Sequence, residues 1–375
     1  MTLRIPPVAA NLALLGGSLT VAFGAAELLL RLEPGLLSEE ARLRLNWQAQ
    51  RLSHAARTRR DSAIGFLYVP GGHGEVRQGE VHFSYTTDRE GFRNIDSAAD
   101  TAEIVVVGDS WTFGFGVDDS VAWPRLLSDS LRPVRVRNLE LIGASPGQYT
   151  LVLERFGLSL HPRVILYGVF PGNDLDDQSA FDRWTRTGRR GNYAEWRTYG
   201  PRGRSQPFWN RSYLLVVLQE GWKYRDARFA GSTIHLADGS PIQLAPGRLF
   251  PTAERSHRGD STFDHVLEAV ERAHALAAQA NARLEVLVFP TKEEIYLPFD
   301  GKPTPQLTSR WVTALRGLGV DVLDLTGALR EHAGGCPLFY EVDGHVNPAG
   351  HRVIVEAVMQ YLRRRRGEFG LSLAR

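Results

Sequence analysis

From residue 102 onward, short apolar runs alternate with segments of helical periodicity. Each run is continuously apolar, which is typical of a strand that is buried on both faces of a sheet. A strong amphipathic helical pattern, at 263–280, places its apolar residues on one face. The predicted strands are 103–108, 134–139, 163–170, 284–289 and 320–325. Further helices are predicted from 119–124 to Leu131, at 150–160, at 212–224 and at 348–366.

This alternation predicts the fold class. Strands that alternate with helices form a parallel sheet with helices on both faces. We therefore predict an α/β protein with a doubly wound parallel sheet of about five strands. Ligands of such sheets bind beyond the carboxyl ends of the strands, so the loops that follow each strand are the place to look for chemistry.

The regions around the alternating pattern predict the domain organisation. Residues 175–260 are long, polar and aromatic, with four of the eight tryptophans, and we predict that they form a cap inserted over the strand ends. The α/β domain would then span 102–366, followed by a tail at 367–375. Upstream, 61–101 is predicted to be a small β-rich preamble, and the polar, arginine-rich stretch 33–60 a stalk.

The N-terminal segment is apolar enough to be a membrane anchor. There is no charged residue between Arg4 and Glu27, and Val8–Ala26 approaches the length of about 20 residues that spans a bilayer. We predict a transmembrane anchor at 5–32. A cleaved signal peptide and a buried soluble helix remain alternatives. Arginines on both sides of the segment leave its orientation open.

Composition narrows the remaining possibilities. The chain has 375 residues, is 43% hydrophobic and carries a formal net charge of +2, which fits a folded globular protein. Cys336 is the only cysteine, so an internal disulfide is excluded. No HExxH motif or cysteine cluster occurs, which argues against a zinc hydrolase. We expect no metal, no cofactor and no nucleic-acid partner.

A candidate catalytic triad can be assembled from two loops. Ser110 follows the first predicted strand in the sequence GDSW, which differs from the G-x-S-x-G motif of α/β-hydrolases. Asp343 and His345 lie two positions apart before the last helix, so the carboxylate can orient the imidazole as the base for a serine. His351 shares helical spacing with the apolar positions that follow it, which favours a buried structural role.

Acyl transfer also requires hydrogen-bond donors for a developing oxyanion. Gly143 can offer a backbone N–H in the loop after the second predicted strand. Asn173 can offer its side-chain amide after the third. Either residue alone would more often belong to an ordinary turn, but both follow strands of the same predicted sheet.

The order Ser, Gly, Asn, Asp-x-His resembles the SGNH (GDSL-type) hydrolase superfamily over residues 102–362. The resemblance implies a flavodoxin-like sheet, Ser110 as nucleophile and first oxyanion donor, and Gly143 and Asn173 as the other donors. It implies His345 as general base and Asp343 as its partner. The Asp-x-His spacing and TTDREGFR at 86–93 are similar to a membrane-anchored bacterial subgroup, whereas Glu140 stands where glycine is frequent.

Lys292 and Trp111 are weaker candidates for substrate contacts. Lys292, in FPTKEEIY, resembles a Pro-x-Lys segment of polysaccharide O-acetylation proteins, and Trp111 follows the nucleophile. A surface lysine at a strand end, or one that forms a salt bridge near the sheet, is the alternative for Lys292.

Three functions remain open. The first is a serine esterase that removes acetyl or similar groups from a glycan or a small ester. The second is an O-acyltransferase that acts on a polysaccharide, with a membrane partner that supplies the acyl donor. The third is a catalytically dead glycan-binding module. We predict a membrane-anchored protein whose catalytic domain is extracytoplasmic, either periplasmic or at the cell surface, although charge counting alone would favour a cytoplasmic domain.

Overall fold

A five-stranded parallel sheet forms the centre of the protein. The structure is a computed structural model that describes residues 7–38, 41–42, 44–45, 57–94, 100–199, 212–223 and 231–372. Much of the predicted stalk, Trp209 in the predicted cap and the last three residues of the predicted tail lie outside these residues. The strands of the sheet are β5 (Ile104–Val107), β6 (Val136–Asn138), β7 (Val164–Val169), β10 (Arg283–Val288) and β11 (Asp321–Asp324).

The strand order is β11-β10-β7-β5-β6, and every adjacent pair is parallel. This is the flavodoxin-like order. All five strands were predicted within one or two residues, which confirms the predicted fold class.

Side chains of β5 show how the sheet is covered on both faces. Val105 and Val107 pack into one hydrophobic cluster, while Ile104 and Val106 pack into another, as the two-residue period of a strand requires. The first cluster includes apolar residues of the helices Pro146–Val152, Ser261–Gln279 and Leu307–Arg316. The second includes those of Trp123–Ser130, Thr326–His332 and Pro348–Arg364.

Shorter elements surround this core. Three two-stranded antiparallel sheets are formed by β1 (Thr58–Asp61) with β2 (Gly65–Tyr68), β3 (His73–Gln78) with β4 (Val81–Thr86), and β8 (Ser232–His235) with β9 (Pro241–Leu244). The remaining α-helices are Pro7–Leu32, Ser110–Phe113, Asp174–Arg186, Tyr193–Tyr199, Tyr213–Lys223, Leu249–Arg255, Lys292–Tyr296 and Arg366–Phe369.

The predicted helix at 150–160 differs from the observed one. The observed helix begins earlier, at Pro146, because proline suits the first helical turn and the Gln148 side chain accepts the Ser145 N–H at 3.0 Å. After Val152 the chain continues through a π-helical turn and a 3-10 turn to Leu160.

The N-terminal helix fits a membrane span by length and composition. Ala10–Leu32 covers 23 residues and none of its most apolar window is buried within the protein. A signal sequence meets the same criteria, so the anchor remains a proposal.

Arg93 joins the β-rich region before the sheet to the core. Its guanidinium is buried and donates to the carbonyl oxygens of Phe113 at 3.0 Å, Gly114 at 2.8 Å and Val117 at 2.7 Å. It also pairs with Asp119 at 2.6 Å. These carbonyls lie at the end of the helix that begins at Ser110 and in the chain just beyond it. Arg93 therefore fixes the segment that follows the candidate nucleophile.

His351 lies in the interior of the Pro348–Arg364 helix, with 1% of its surface exposed. Burial lowers the pKa of His351 to about 3, so the ring is neutral in the folded protein. This placement agrees with a structural role.

Stability should therefore fall on acidification. An unfolded histidine takes up a proton near pH 6.5 and the folded ring does not, so the stabilisation present above pH 6.5 is lost as the pH falls toward 3. Between pH 7 and pH 5, linkage gives a loss of roughly 2 kcal/mol from this residue. Urea unfolding should show a weaker pH dependence for His351→Gln, whereas His257→Gln, at an exposed position, should behave as wild type. Equal pH dependence in all three proteins would contradict a neutral His351.

Candidate active site

Ser110 begins a short helix directly after β5. Asp109 precedes it as N-cap and its carboxylate accepts the Trp111 N–H at 2.9 Å. The helix ends at Gly114, whose φ of 79° is left-handed, and a Cβ there would lie 2.6 Å from that of Ala122. This tight turn places the Ser110 hydroxyl at the carboxyl end of the central strands.

The three residues of the predicted triad form one chain of hydrogen bonds. The Ser110 Oγ lies 2.8 Å from Nε2 of His345, and the Nδ1 of His345 lies 2.6 Å from Oδ1 of Asp343. The same Asp343 oxygen accepts the backbone N–H of His345 at 2.9 Å. The geometry brings together the residues that the sequence pattern predicted, in the order nucleophile, base and orienting acid.

Asp343 is fully buried. Burial by itself raises the pKa of a carboxyl group, but the charge of His345 and its hydrogen bonds outweigh this and hold the pKa of Asp343 below its usual value. Asp343 is thus a carboxylate that stabilises a positive charge on the imidazole.

Gly143 and Asn173 line the same pocket as Ser110 and His345. Gly143 has a φ of 68°, and its carbonyl accepts a hydrogen bond from Arg197, which also pairs with Asp177. A Cβ at Gly143 would collide with the Arg197 guanidinium, so glycine is required there. Among the described residues, the N–H groups of Ser110 and Gly143 have no hydrogen-bond acceptor.

Asp109 orients the third predicted donor. Its Oδ2 accepts from the Asn173 amide at 3.1 Å and lies 3.4 Å from the Ser110 Oγ. Burial raises the pKa of Asp109, against the hydrogen bonds from Trp111 and Asn173. One amide proton of Asn173 is held by Asp109, and the other remains to bind a substrate oxygen.

Lys292 is placed on the loop that carries the acid and base. It begins the Lys292–Tyr296 helix after β10 and is 2% exposed. Its ammonium donates to the carbonyl oxygens of Glu341 at 3.0 Å, Val342 at 3.1 Å and Asp343 at 3.2 Å, and more weakly to that of Tyr340 at 3.4 Å. Lys292 also lines the pocket. Its contacts with the loop favour a positioning role, and the predicted substrate contact stays a prediction.

Glu80 binds the other side of the same loop. Its carboxylate accepts the backbone N–H groups of Glu341 at 2.8 Å, Val342 at 2.7 Å and Asp343 at 2.7 Å. The carbonyls of this loop therefore face an ammonium while its N–H groups face a carboxylate. Both charges favour the same orientation of the peptide dipoles, so we name Glu80 and Lys292 the loop clamp.

Tyr340 gives a further contact between the two loops. Its hydroxyl donates to the carbonyl of Gly116 at 2.5 Å, and a Cβ at Gly116 would lie 2.7 Å from the Tyr340 ring. Glycine at 116, whose φ is 99°, allows this approach. The Asp343–His345 loop is thereby held against the chain that follows the nucleophile.

A pocket of about 140 Å³ opens at the triad. Its apolar part is formed largely by aromatic and aliphatic side chains, and Trp111, 2% exposed, belongs to this wall. Its polar part holds the candidate catalytic groups. No group of three or more His, Cys, Asp or Glu side chains in the described part of the chain is arranged to hold a metal ion. Further residues that line the pocket are Val76, Tyr85, Phe115, Ile142, Phe170, Ala194, Arg197, Ala245 and Leu249.

Comparison with known families agrees with this site. A family model described as the SGNH hydrolase-like domain of acetyltransferase AlgX matches residues 245–372, which include Lys292, Asp343 and His345. The match covers about a third of the chain. No curated protein matches the chain. Residues 245–372 therefore match an SGNH hydrolase-like domain, and the predicted resemblance to this superfamily is confirmed.

Solved structures similar to the protein include GDSL-type hydrolases at low identity. TesA aligns with 14% identity, a TM-score of 0.38, 70% of this chain and 98% of its own. A lipolytic G-D-S-L protein from Veillonella parvula aligns with 12% identity, a TM-score of 0.39, 70% of this chain and 100% of its own. The acetyl xylan esterase AlAXEase aligns with 11% identity, a TM-score of 0.37, 69% of this chain and 99% of its own.

Several supporting residues were missed at the level of sequence. Asp109 lies inside the GDSW motif, but its contact with Asn173 depends on the pairing of β5 with β7. Glu80 is an exposed acid in a turn, and Arg197 is one arginine among many. Nothing in their sequence neighbourhood distinguishes them.

The loop clamp predicts a selective loss of activity. Lys292→Met keeps the apolar stem but removes the ammonium, which leaves three carbonyl oxygens without their closest donor. We expect turnover to fall about 10- to 100-fold, the range seen when a supporting contact of a catalytic group is lost, with KM changed much less. Steady-state kinetics on a soluble acetyl ester measures this.

Lys302→Met is the matched control, because Lys302 is exposed and pairs only with Asp300 at 2.7 Å. It should retain wild-type turnover. If Lys292→Met instead raised KM and left turnover intact, Lys292 would be a substrate-binding residue.

Proposed function

We propose that the protein is a serine esterase that works through an acyl-Ser110 intermediate and removes acetyl or similar groups from a glycan. The observation that carries the proposal is the unbroken chain of hydrogen bonds from the Ser110 hydroxyl through His345 to the buried Asp343. A serine hydroxyl needs such a base to become a nucleophile at neutral pH.

The first half-reaction follows from the geometry. The Nε2 of His345 accepts the hydroxyl proton as the Ser110 Oγ bonds to the acyl carbon. The imidazolium that forms is stabilised by Asp343. The bond between the acyl carbon and the ester oxygen then breaks, and His345 returns the proton to the departing alcohol. In the second half, a water molecule loses a proton to His345 and bonds to the acyl carbon. The bond between that carbon and the Ser110 Oγ then breaks, and His345 returns the proton to the Oγ.

The tetrahedral intermediate carries a negative oxygen that needs donors. The N–H groups of Ser110 and Gly143 and the amide of Asn173 supply three. Removal of one such donor lowers turnover by about 10²- to 10³-fold. Arg197 and Asp109 contribute indirectly, because they hold Gly143 and Asn173 in position.

The size and lining of the pocket favour a short acyl group. A pocket of about 140 Å³ with walls such as Phe115, Ile142 and Phe170 suits an acetyl-sized group. A glycan is the acyl carrier that we favour, on the resemblance of the motifs to polysaccharide acetylation proteins.

Acyl transfer to a sugar hydroxyl is the second candidate. It uses the same intermediate, and the match of residues 245–372 to a domain named for an acetyltransferase favours it. A dead glycan-binding module has less support. Trp184, one of the tryptophans suited to sugar stacking, is fully buried against Phe181 and Tyr193.

The proposed membrane location fits the same substrate class. We infer that the N-terminal helix anchors the enzyme with its catalytic domain outside the cytosol, where polysaccharides are exposed. A transferase in that position would need an acyl donor delivered by a membrane partner.

The experiment is incubation of the purified protein with an acetyl ester, with and without an oligosaccharide acceptor. Free acetate alone indicates hydrolysis, and oligosaccharide that gains acetyl mass indicates transfer. Ser110→Ala and His345→Ala should each lose roughly 10⁴-fold or more of either activity, and Asp343→Ala should lose less, because it only orients and stabilises the imidazole.

His351→Ala is the control within the same region of the chain, and it should affect stability more than turnover. Loss of activity in His351→Ala with full activity in His345→Ala would move the base into the helix and overturn the proposal.

A further inference from the structure

The Tyr213–Lys223 helix carries apolar residues on two faces, one packed in a hydrophobic cluster and one largely exposed to solvent. One face packs on the segment that follows the N-terminal helix. The other is an i, i+4, i+8 stripe of Leu214, Leu218 and Trp222, in which Leu218 is 58% and Trp222 is 74% exposed. The packed cluster consists of Leu30, Leu37, Ala41, Leu45, Tyr213, Val216 and Val217.

Glu27 fixes the start of this helix to the N-terminal helix. Its carboxylate accepts the Ser212 hydroxyl at 2.8 Å and the backbone N–H groups of Tyr213 at 3.1 Å and Leu214 at 2.9 Å. A carboxylate at these N–H groups acts as a helix N-cap supplied from another element. The Arg31 guanidinium lies over the Tyr213 ring, 4.7 Å from its centre.

The position of Glu27 along the N-terminal helix sets a height relative to a bilayer. Val8–Ala26 is uncharged and, at 1.5 Å per residue, is about 28 Å long, close to the hydrocarbon thickness of about 30 Å. With this stretch in the bilayer, Glu27 lies at the boundary between lipid and water. The first N–H groups of the Tyr213–Lys223 helix bind the Glu27 carboxylate, so this helix begins at the same level.

We propose that the Tyr213–Lys223 helix lies on the lipid surface beside the anchor, with Leu218 and Trp222 in the interfacial layer. Tryptophan prefers this layer, and an amphipathic helix at the surface buries its apolar face there. This placement requires that the N-terminal helix is retained, because only an uncleaved helix places Glu27, and with it Ser212 and Tyr213, at the membrane boundary. This helix belongs to the predicted cap, so the cap is held at the membrane.

The test uses the full chain, with Cys336→Ser, in vesicles of phosphatidylethanolamine and phosphatidylglycerol. An environment-sensitive nitrobenzoxadiazole label is placed at Leu218→Cys or, as control, at the adjacent exposed Gln219→Cys. Nitroxide-labelled phospholipid is then added as quencher. Quenching should be several-fold stronger at 218 than at 219, with a blue-shifted emission at 218.

Three outcomes would overturn the proposal. Equal quenching at both positions would show that the stripe does not enter lipid. A label at 218 that is shielded in detergent and unquenched in vesicles would indicate a second copy of the chain on this face. A protein isolated from membranes whose intact mass lacks the first 26 residues would show that the anchor is cleaved.

Discussion

The hydrogen bond between Ser110 and His345 is the interaction on which the site depends, and it joins residues 235 positions apart. Local geometry brings His345 to Asp343, because two positions of chain suffice. It cannot bring the pair to the serine. The sheet supplies the serine, and the position of the 341–343 loop supplies the base. A shift of 1 Å between them would cost much of the activity.

The position of the 341–343 loop is maintained by charged side chains that form no bond to the substrate in the proposed reaction. The loop clamp binds the two sides of the same peptide groups, with the Lys292 ammonium on the carbonyls and the Glu80 carboxylate on the N–H groups. Glu80 comes from the turn between β3 and β4, and Arg93, from the same region, fixes the chain after Ser110. The β-rich region before the sheet therefore acts on both halves of the site.

The fold and the catalytic groups were predictable because each leaves a local pattern. Runs such as IVVV at 104–107 are apolar throughout only where both faces are buried, and the Asp343–His345 pair is two residues apart in the chain. Glu80, Asp109 and Arg197 leave no such pattern, since their roles depend on contacts between segments far apart in sequence. The contacts of Lys292 were unpredictable for the same reason, since the sequence shows its position at a strand end but not the loop carbonyls that its ammonium binds.

The central claim is that acyl groups pass through Ser110, and trapping that intermediate tests it most directly. The protein is mixed with an activated acetyl ester, quenched in acid within one turnover, digested and analysed by mass spectrometry. The account predicts one acetylated peptide, which contains Ser110. The yield of this peptide should be greater in Asp343→Ala, where deacylation is slowed more than acylation. Ester turnover with unmodified Ser110, or with acetyl on another residue, would contradict the account.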